Sequence, residues 1–470
     1  MSVKPVPAEG FAASVPVVIV GAGAAGLCAA LAAHEAGVEV VVFERDPLPR
    51  GSTALSAGLI PAADTRFQRA LGISDCAELF ATDIRQKAHD EGNAAITELV
   101  ARQAAATVEW LADRYSFPFS LVHDFNYPGH SVRRMHGLPS RSGGELVDRL
   151  HRAAERAEIT VVGDATVSGL FSDSESAVRG IEVTRPDDSR DHIGCEVLVL
   201  ACNGYGGAPD LVAKYIPEMR SAHYFGHPGN RGDAVLWGQA LGAKLLNMSG
   251  YQGHGSVAHP YAILITWAVI MEGGFQVNVL GERFSDESRG YSEQAAVVLA
   301  QPEGIAFDIF DERIAAIARQ FEDFRLAEAA GAVIAAASIE ELAERLKLPH
   351  GALAETFRQV ESAKESGAAD SFGRSFAGQA RLSPPYKAVR VTGALFHTQG
   401  GLAVDVNARV LNEQGAPLPN LFAAGGAAAG VSGSVASGYL SGNGLLTATV
   451  LGRISGASAA ALAKSRHVKR

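Results

Sequence analysis

Residues 17–44 read VVIVGAGAAGLCAALAAHEAGVEVVVFE, and this stretch decides the fold of the chain. An apolar run leads into Gly21-x-Gly23-x-x-Gly26, a helical run rich in Ala and Leu follows, and a second apolar run ends at Glu44. Strand, glycine loop, helix, strand and terminal acid form the dinucleotide-binding fingerprint in its full context. We therefore predict a βαβ unit that binds a dinucleotide; the alternative is a Gly/Ala-rich packing helix.

Each glycine of this fingerprint has a physical role. Gly21 permits the tight turn, Gly23 lets the backbone approach a pyrophosphate, and Gly26 lets helix and strand pack closely. The free N–H groups and the dipole of the helix N-terminus favour an anion there. Glu44 can accept hydrogen bonds from both ribose hydroxyls. The predicted pyrophosphate contacts are the amides of Gly21, Ala22, Gly23, Ala24, Ala25 and Gly26.

Composition limits the class of protein. The 470 residues include 41 basic and 51 acidic side chains, and the net charge of −10 argues against a nucleic-acid partner. The four cysteines show no haem or zinc spacing, so we predict no metal site and reduced core cysteines in the cytoplasm. The apolar residues 15–33 fit buried βα structure, so no integral membrane segment is expected.

Two kinds of pattern divide the chain. Short β-type runs and glycine loops occupy residues 1–248 and return over 382–470, whereas 249–381 are irregular and then helical. Ser338, followed by Glu341, is typical of a helix N-cap before the helical block at 339–365. We predict an α/β fold: a discontinuous Rossmann-like domain (1–248 and 382–470) with an inserted α+β domain (249–381).

Several further motifs occur in a fixed order. They are Gly51-Ser-Thr53, Leu200-Ala-Cys-Asn-Gly-Tyr-Gly-Gly207, Gln252-Gly-His254, Gly281-Glu-Arg-Phe-Ser-Asp-Glu287, Phe372-Gly-Arg374, Pro384-Pro-Tyr386, His397-Thr-Gln-Gly-Gly401, Pro419-Asn-Leu-Phe-Ala-Ala-Gly-Gly426 and Tyr439-Leu-Ser-Gly-Asn-Gly444. This ordered set resembles the FAD-dependent fumarate reductase/succinate dehydrogenase flavoprotein superfamily. The branch resembled includes the Δ4-type 3-ketosteroid dehydrogenases and tricarballylate dehydrogenase.

The resemblance implies FAD as the cofactor, held in the Rossmann-like domain under a capping domain. It implies hydride transfer between flavin N5 and a carbon β to an electron-withdrawing group, with a protein acid or base handling the α-proton. Relatives with covalent flavin carry a His in the loop occupied here by Ser52 and Thr53, so non-covalent FAD is expected. Gly426 replaces a family acid, so one ribityl contact is expected to be absent.

The resemblance also assigns the remaining cofactor contacts. Glu44 and Arg45 belong to the adenosine end, and Val167 presents its backbone to adenine. The other implied contacts are Ser52 and Thr53 at the pyrophosphate, Ser56, Ala57 and Gly58 along the isoalloxazine edge, and Gly425, Gly426, Asn443, Gly444, Leu445 and Leu446 near the ribityl chain and the O2 end.

The catalytic residues implied by the resemblance are two histidines, two tyrosines and a serine. His254 and His397 occupy positions that hydrogen-bond the substrate in fumarate reductases. Tyr291 and Tyr439 stand where those enzymes keep arginines for proton donation and carboxylate binding, and Tyr439-Leu-Ser441 is similar to the Δ4-type ketosteroid enzymes. Without guanidinium groups a dicarboxylate loses its bidentate partners.

These residues predict a mechanism. Tyr439, with Ser441 or the backbone near it, polarises a ketone, while Tyr291, its pKa lowered by neighbours, takes the α-proton. Arg289 is a rival proton shuttle, and the alternative for Tyr291 is a packed aromatic. Four further aromatic residues are either pocket walls for a ring or core residues: Phe396, Tyr251, Tyr224 and Trp267.

The predicted function is FAD-dependent α,β-dehydrogenation of a ketone, a 3-ketosteroid or a small ring such as 4-oxocyclohexanecarboxylate. One alternative is a carboxylate dehydrogenase or reductase of the tricarballylate dehydrogenase or fumarate reductase kind. Another is an electron-carrier flavoprotein, which would need an exposed flavin. The electron acceptor is left open among oxygen, a quinone and an electron-transfer flavoprotein.

Overall fold

The structure is a computed structural model that describes residues 2–467. Its strands are Ser2–Pro5 (β1), Ala13–Val20 (β2), Val40–Phe43 (β3), Ile60–Pro61 (β4), Ser120–Leu121 (β5), Met135–Gly137 (β6), Thr160–Val162 (β7), Thr166–Ser172 (β8), Val178–Thr184 (β9), Arg190–Leu200 (β10), His223–Tyr224 (β11), Leu245–Leu246 (β12), Tyr251–Ala258 (β13), Ile263–Leu264 (β14), Phe275–Asn278 (β15), Ile305–Asp311 (β16), Val333–Ala336 (β17), Tyr386–Thr398 (β18), Gly401–Leu402 (β19), Arg409–Leu411 (β20) and Pro417–Ala423 (β21).

The α-helices are Ala24–Glu35 (α1), Gly51–Ala54 (α2), Arg66–Ala70 (α3), Ala77–Lys87 (α4), Ala94–Tyr115 (α5), Gly143–Arg156 (α6), Pro209–Tyr215 (α7), Asp233–Ala240 (α8), Ala268–Met271 (α9), Tyr291–Leu299 (α10), Glu312–Ala318 (α11), Glu322–Ala329 (α12), Ile339–Leu346 (α13), Ala352–Ser366 (α14) and Asn443–His467 (α15). Short 3₁₀ helices span Pro217–Met219, Glu287–Arg289, Pro302–Gly304, Gly425–Ala427 and Ala436–Gly438.

A nine-stranded sheet carries the fingerprint. Its main strand order is β1-β8-β9-β10-β2-β3-β7, with β21 on β10 and β20 on β21. Strands β10, β2, β3, β7 and β21 are paired in parallel. The predicted βαβ unit is therefore present as β2, α1 and β3, and the α/β class is confirmed. A Cβ on Gly26 would lie 1.8 Å from the Gly21 carbonyl oxygen, so only glycine allows this close packing of helix on strand.

The last helix, α15, packs against α1 in the core of this domain. Residues 443–466 are long and apolar enough to cross a membrane by composition, but about half (56%) of the most apolar window is buried. A Cβ on Gly456 would lie 2.0 Å from the Ala29 carbonyl oxygen of α1. Contact this close between the two backbones explains the apolar composition as that of a core helix.

A second sheet of seven strands forms a separate layer. Its order is β14-β13-β18-β16-β15, and β11 and β17 also pair with β18. Helices α13 and α14 lie in the predicted helical block and break between Leu346 and Ala352. The expected cap is present, since the Ser338 hydroxyl accepts from the Glu341 amide at 3.1 Å.

The long strand β18 lies beyond the predicted end of the inserted domain at residue 381. Its residues Tyr386–Thr398 pair with strands of the second sheet throughout, so this sheet includes chain that the composition pattern assigned to the first domain. The domain boundaries stay a prediction. The pairing of β13 with β18 sets Gln252 opposite His397 and His254 opposite Ala394, which brings the two predicted histidines to one end of the sheet.

Candidate active site

One elongated cavity receives residues from both sheets, and its empty volume is about 1670 Å³, open solvent at the mouth included. The five predicted catalytic residues all line it. The predicted cofactor residues on its wall are Gly21, Gly23, Ala24, Ala25, Glu44, Arg45, Ser52, Thr53, Ser56, Ala57, Gly58, Val167, Gly425, Gly426, Gly444 and Leu445.

Four predicted cofactor residues stand behind the wall. Ala22 donates its amide to the Glu44 carboxylate at 2.7 Å. Gly26 packs α1 on its strand, Asn443 is buried and donates to the Ser432 hydroxyl at 3.0 Å, and Leu446 is fully buried. These residues support the cavity rather than facing it.

Two short side chains, those of Thr53 and Ser52, lie at the cavity wall near the N-terminus of α1. The Thr53 hydroxyl accepts from the Ala24 amide at 3.0 Å, so an anion there depends on the remaining amides at the start of α1. The Ser52 hydroxyl oxygen accepts from the amide of His227 at 3.0 Å and from Asn230 Nδ2 at 2.8 Å. The Ser52 hydroxyl also hydrogen-bonds the Tyr224 phenol, so it is held in place on the cavity wall.

The adenosine end is held by ion pairs. Arg45 pairs with Asp233 at 2.9 Å, which fixes its guanidinium beside Glu44. His227 lies on the cavity wall with its Nε2 2.9 Å from the Asp46 carboxylate. His227 and Asn230 were not predicted from the sequence, because no motif marks the loop that contains them.

Asn203, which was not predicted as a site residue, lies beside Gly426, the position where the resemblance expects an acid. A Cβ on Gly426 would lie 2.1 Å from Asn203 Oδ1 and 2.7 Å from His397 Nε2. Asn203 lies on the cavity wall with a positive φ of 66°, which Asn tolerates better than most residues. The Asn203 carboxamide therefore stands beside the position that Gly426 leaves empty of side-chain atoms.

Tyr439 presents its phenol to the reaction end of the cavity. Its oxygen accepts from the Gly444 amide, in the first turn of α15, at 3.1 Å. Burial raises the pKa of Tyr439 to about 12, so the phenol is protonated at neutral pH. With its oxygen held by the helix, the hydroxyl proton can be donated to a carbonyl oxygen.

Tyr291, the first residue of α10, lies next to Tyr439. The two ring centroids are 6.1 Å apart, and Tyr291 also stacks on His254 at 4.7 Å. Burial, and then the neighbouring Tyr439, raise the pKa of Tyr291 well above its usual range, although a hydrogen bond from Ser441 opposes the shift. The expectation of a lowered pKa was wrong, because the described wall near Tyr291 carries no cation.

Both histidines are neutral hydrogen-bond donors. His254 Nδ1 accepts from the Ser256 amide at 3.1 Å and His397 Nδ1 from Gln399 Nε2 at 2.8 Å, so each Nε2 carries the proton. Burial lowers the pKa of His254 to about 3 and that of His397 to about 4. Each ring can donate to a substrate oxygen without bringing a positive charge.

Ser441 is held in place from outside the cavity. Its carbonyl oxygen lies 2.9 Å from Nε2 of His130, which is buried. Arg134, also buried, pairs with Asp75 at 2.7 Å and lies 3.5 Å from the other nitrogen of His130. The loop with Tyr439 and Ser441 therefore rests on a buried polar cluster.

The remaining wall at this end is largely apolar. Its apolar and aromatic members are Leu59, Tyr127, Met135, Phe225, Leu264, Trp267, Phe321 and Phe396. Of the four aromatic residues predicted to be either pocket walls or core, Trp267 and Phe396 line the cavity. Tyr224 and Tyr251 are absent from its described wall. Arg289 is 70% exposed and pairs with Asp286 at 3.3 Å, so its side chain lies outside the cavity.

The residues that line the cavity fit FAD. The glycine-lined helix N-terminus, the acid at the end of β3 and the glycine loop before α15 all contribute to its wall. A side chain on Gly21, Gly26 or Gly426 would collide with neighbouring atoms.

Comparisons with known proteins give the same cofactor. A family model described as FAD binding domain matches residues 16–445. The NADH:fumarate oxidoreductase of Klebsiella pneumoniae (strain 342) is 30% identical over 455 residues, 96% of this chain but only 48% of that protein. The probable fumarate reductase Ifc3 of Shewanella frigidimarina (strain NCIMB 400) is 31% identical, over 96% of this chain and 76% of that protein.

Two solved structures are similar over nearly the whole chain. An open flavocytochrome c3 fumarate reductase is 30% identical with a TM-score of 0.80, covering 97% of this chain and 80% of that one. The 3-ketosteroid Δ4-(5α)-dehydrogenase of Rhodococcus jostii RHA1, solved with 4-androstene-3,17-dione, is 25% identical with a TM-score of 0.75, covering 97% and 100%. The chain is therefore an FAD-dependent oxidoreductase, and it belongs to the FAD binding domain family within the fumarate reductase/succinate dehydrogenase flavoprotein superfamily.

Proposed function

We propose that this protein catalyses FAD-dependent α,β-dehydrogenation of a ketone, either a 3-ketosteroid or a smaller cyclic ketone. The observation that carries the proposal is the composition of the reaction end. Two protonated phenols and two neutral imidazoles converge there, and the described wall has no Lys and no Arg apart from Arg45 at the adenosine end. Uncharged donors suit a carbonyl oxygen, whereas a dicarboxylate calls for guanidinium partners.

In this proposal Tyr439 is the group that polarises the carbonyl. Its phenol donates to the ketone oxygen, and the Gly444 amide, which holds the phenol oxygen, stabilises charge that develops on it. Bound FAD supplies the acceptor for the hydride that leaves the β-carbon. His254 and His397 donate their Nε2 protons to further oxygens of the substrate and orient it.

Tyr291 handles the α-proton. In dehydrogenation Tyr291 first loses its own proton to solvent, and the hydrogen bond that the Ser441 hydroxyl donates stabilises the phenolate. The phenolate then takes the α-proton and becomes a phenol again. The same protonated phenol is ready to donate in the reverse direction, toward an enone.

The test is anaerobic mixing of the purified holoenzyme with a panel of compounds while the flavin absorbance is followed. Bleaching of oxidised flavin by a saturated cyclic ketone, but by no di- or tricarboxylate, is expected. Reoxidation of reduced flavin by an enone, without bleaching by any saturated ketone, would indicate an ene-reductase instead of a dehydrogenase. Full activity in both Tyr439→Phe and Tyr291→Phe would overturn the assigned roles.

A carboxylate reductase or dehydrogenase is the second candidate. It is supported by the names of the relatives, which include fumarate reductases and a urocanate reductase of Eggerthella lenta that is 28% identical. The retained His254 and His397 also support it. Reoxidation of the reduced flavin by fumarate or urocanate, with no response to ketones, would favour this candidate.

The cofactor attachment, the electron acceptor and the location are separate proposals. We propose non-covalent FAD, and release of all the flavin on acid precipitation is the expected result. Oxygen, a quinone and an electron-transfer flavoprotein remain the proposed acceptors, separable by which of them reoxidises the reduced holoenzyme. The four cysteines are free, which agrees with a reducing cytoplasm.

A further inference from the structure

The reaction end of the cavity carries one carboxyl group, that of Asp323. Among the described lining residues the other acid is Glu44 at the adenosine end, and the one Arg, Arg45, is paired with Asp233. Neither histidine at the reaction end carries a charge at neutral pH. An anionic substituent of a substrate would therefore meet a carboxyl group and no compensating cation at this end.

Asp323 lies in the first turn of α12, on the capping side of the cavity. The preceding residue on that wall, Phe321, packs against Phe125 with ring centroids 5.8 Å apart, and Leu264 lies on the same wall. Within residues 2–467 Asp323 makes no hydrogen bond and no ion pair. Arg325 influences it by charge, but the Arg325 guanidinium donates to the Arg319 carbonyl at 2.6 Å.

The Asp323 side chain is half-buried on the cavity wall. Burial, and then the neighbouring Glu322, raise the pKa of Asp323 to about 7. An acid is favoured in the first turn of a helix, and Glu322 already provides one that does not line the cavity. A polar group in an apolar wall loses free energy unless a partner satisfies it, and the cavity is the side from which a partner can come.

We propose that Asp323 recognises a hydroxyl group that the substrate carries away from its ketone. A hydroxyl donates to the carboxyl group in either protonation state. A methyl group at the same place offers no partner, a keto group can accept from the protonated acid alone, and a carboxylate is repelled by the ionised form. The inference rests on the proposed function and narrows its substrates to hydroxyketones.

The test measures the rate of anaerobic flavin reduction against ketone concentration, which gives a dissociation constant for each compound. Two matched pairs differ in length: 4-hydroxycyclohexanone against 4-methylcyclohexanone, and a 3-ketosteroid with a far-ring hydroxyl against the same steroid with a keto group. In the wild type the hydroxyl member of at least one pair is expected to bind about tenfold tighter or more. 4-Oxocyclohexanecarboxylate is expected to bind more weakly than 4-methylcyclohexanone.

Two variants locate the effect. Asp323→Leu is expected to remove the preference for the hydroxyl and to improve binding of the carboxylate, while Asp323→Asn, which can still accept, restores part of the preference. Glu322→Leu is the matched control, because it removes the neighbouring carboxyl group of the same turn from outside the cavity, and the preference for the hydroxyl should persist in this variant.

The outcomes separate the two proposals. If ketones reduce the flavin but neither pair shows a preference that depends on Asp323, the inference about Asp323 is overturned and the proposed function stands. If an amine analogue binds more tightly than the alcohol, Asp323 recognises a cation rather than a hydroxyl, and the inference is overturned. If no ketone reduces the flavin, both fall together.

Discussion

The two ends of the cavity are built from different parts of the chain. The dinucleotide end uses backbone and short side chains of one continuous segment, from Gly21 to Thr53, reinforced by His227 and Asn230. The reaction end assembles Tyr291, Tyr439 and other long side chains from segments far apart in sequence. A side chain added at a tightly packed glycine displaces the backbone, so substitutions at the dinucleotide end should reduce folding and cofactor binding. Substitutions of the long side chains at the reaction end should instead reduce the reaction rate.

The largest effect is expected at the dinucleotide end. Gly26→Ala places a Cβ 1.8 Å from the Gly21 carbonyl oxygen, and α1 must move away from its strand. We expect loss of bound flavin and of cooperative thermal unfolding, measured by flavin content and circular dichroism. Gly144→Ala in α6, whose Cβ would have its nearest atom at 3.2 Å, is the control. A Gly26→Ala variant with full flavin content would contradict this view of the fingerprint.

At the reaction end the effect should fall on rate alone. Tyr291→Phe removes the phenol proposed to handle the α-proton, and turnover of a ketone that bleaches the flavin should drop about 10²–10⁴-fold with flavin content unchanged. Tyr251→Phe is the matched control, since this buried tyrosine is not part of the described cavity wall. Equal turnover of the two variants would show that Tyr291 is only a packed aromatic.

Asp308, a buried acid in β16 of the second sheet, is expected to make the free energy of unfolding depend on pH. Asp308 accepts from the Ser256 hydroxyl and from Gln276 Nε2, the latter at 2.8 Å, and burial raises the pKa of Asp308 to about 7. The folded state keeps this proton after the unfolded chain has lost it near pH 4. Stability from this group is therefore present below about pH 4 and is lost as pH rises to about 7.

Asp308→Asn should cancel that loss. Relative to the wild type, its free energy of unfolding should rise between about pH 4 and pH 7, by at most about 4 kcal/mol. Urea unfolding of both holoenzymes at several pH values measures the difference. Asp188→Asn, at an exposed turn, should show no such trend. A constant difference across this range would mean that Asp308 keeps an ordinary pKa in the fold.

The smallest effect returns to the dinucleotide end. Thr53→Val removes the acceptor of the Ala24 amide, which lies at 3.0 Å, and keeps the side-chain shape. One such hydrogen bond contributes about 1 kcal/mol, so the free energy of unfolding of the apoprotein should fall by about that amount. Urea unfolding measures it, with Thr82→Val on α4 as the control. A loss as large as that of Gly26→Ala would show that side chains, rather than backbone, dominate this end.

The difference between the ends also explains which residues were predictable. Sixteen of the twenty predicted cofactor residues lie on the cavity wall, because most of them belong to short local motifs. Asn203 stands in the motif at 200–207 without a predicted role, and His227 and Asp323 carry no motif, since their places depend on a loop and on α12 of the other layer. The direction of the Tyr291 pKa was missed for the same reason, since burial and the lack of a neighbouring cation belong to the assembled cavity.

The sequence by itself determined the βαβ unit, the α/β class, the family and FAD, because glycine spacing and strand-helix periodicity are local properties of the chain. The tertiary structure decided that β18 pairs across the second sheet, that both phenols stay protonated, and that one carboxyl group lines the cavity beside them. Strand pairing, burial and charge at a site depend on residues far apart in sequence, and these come together only in the folded molecule.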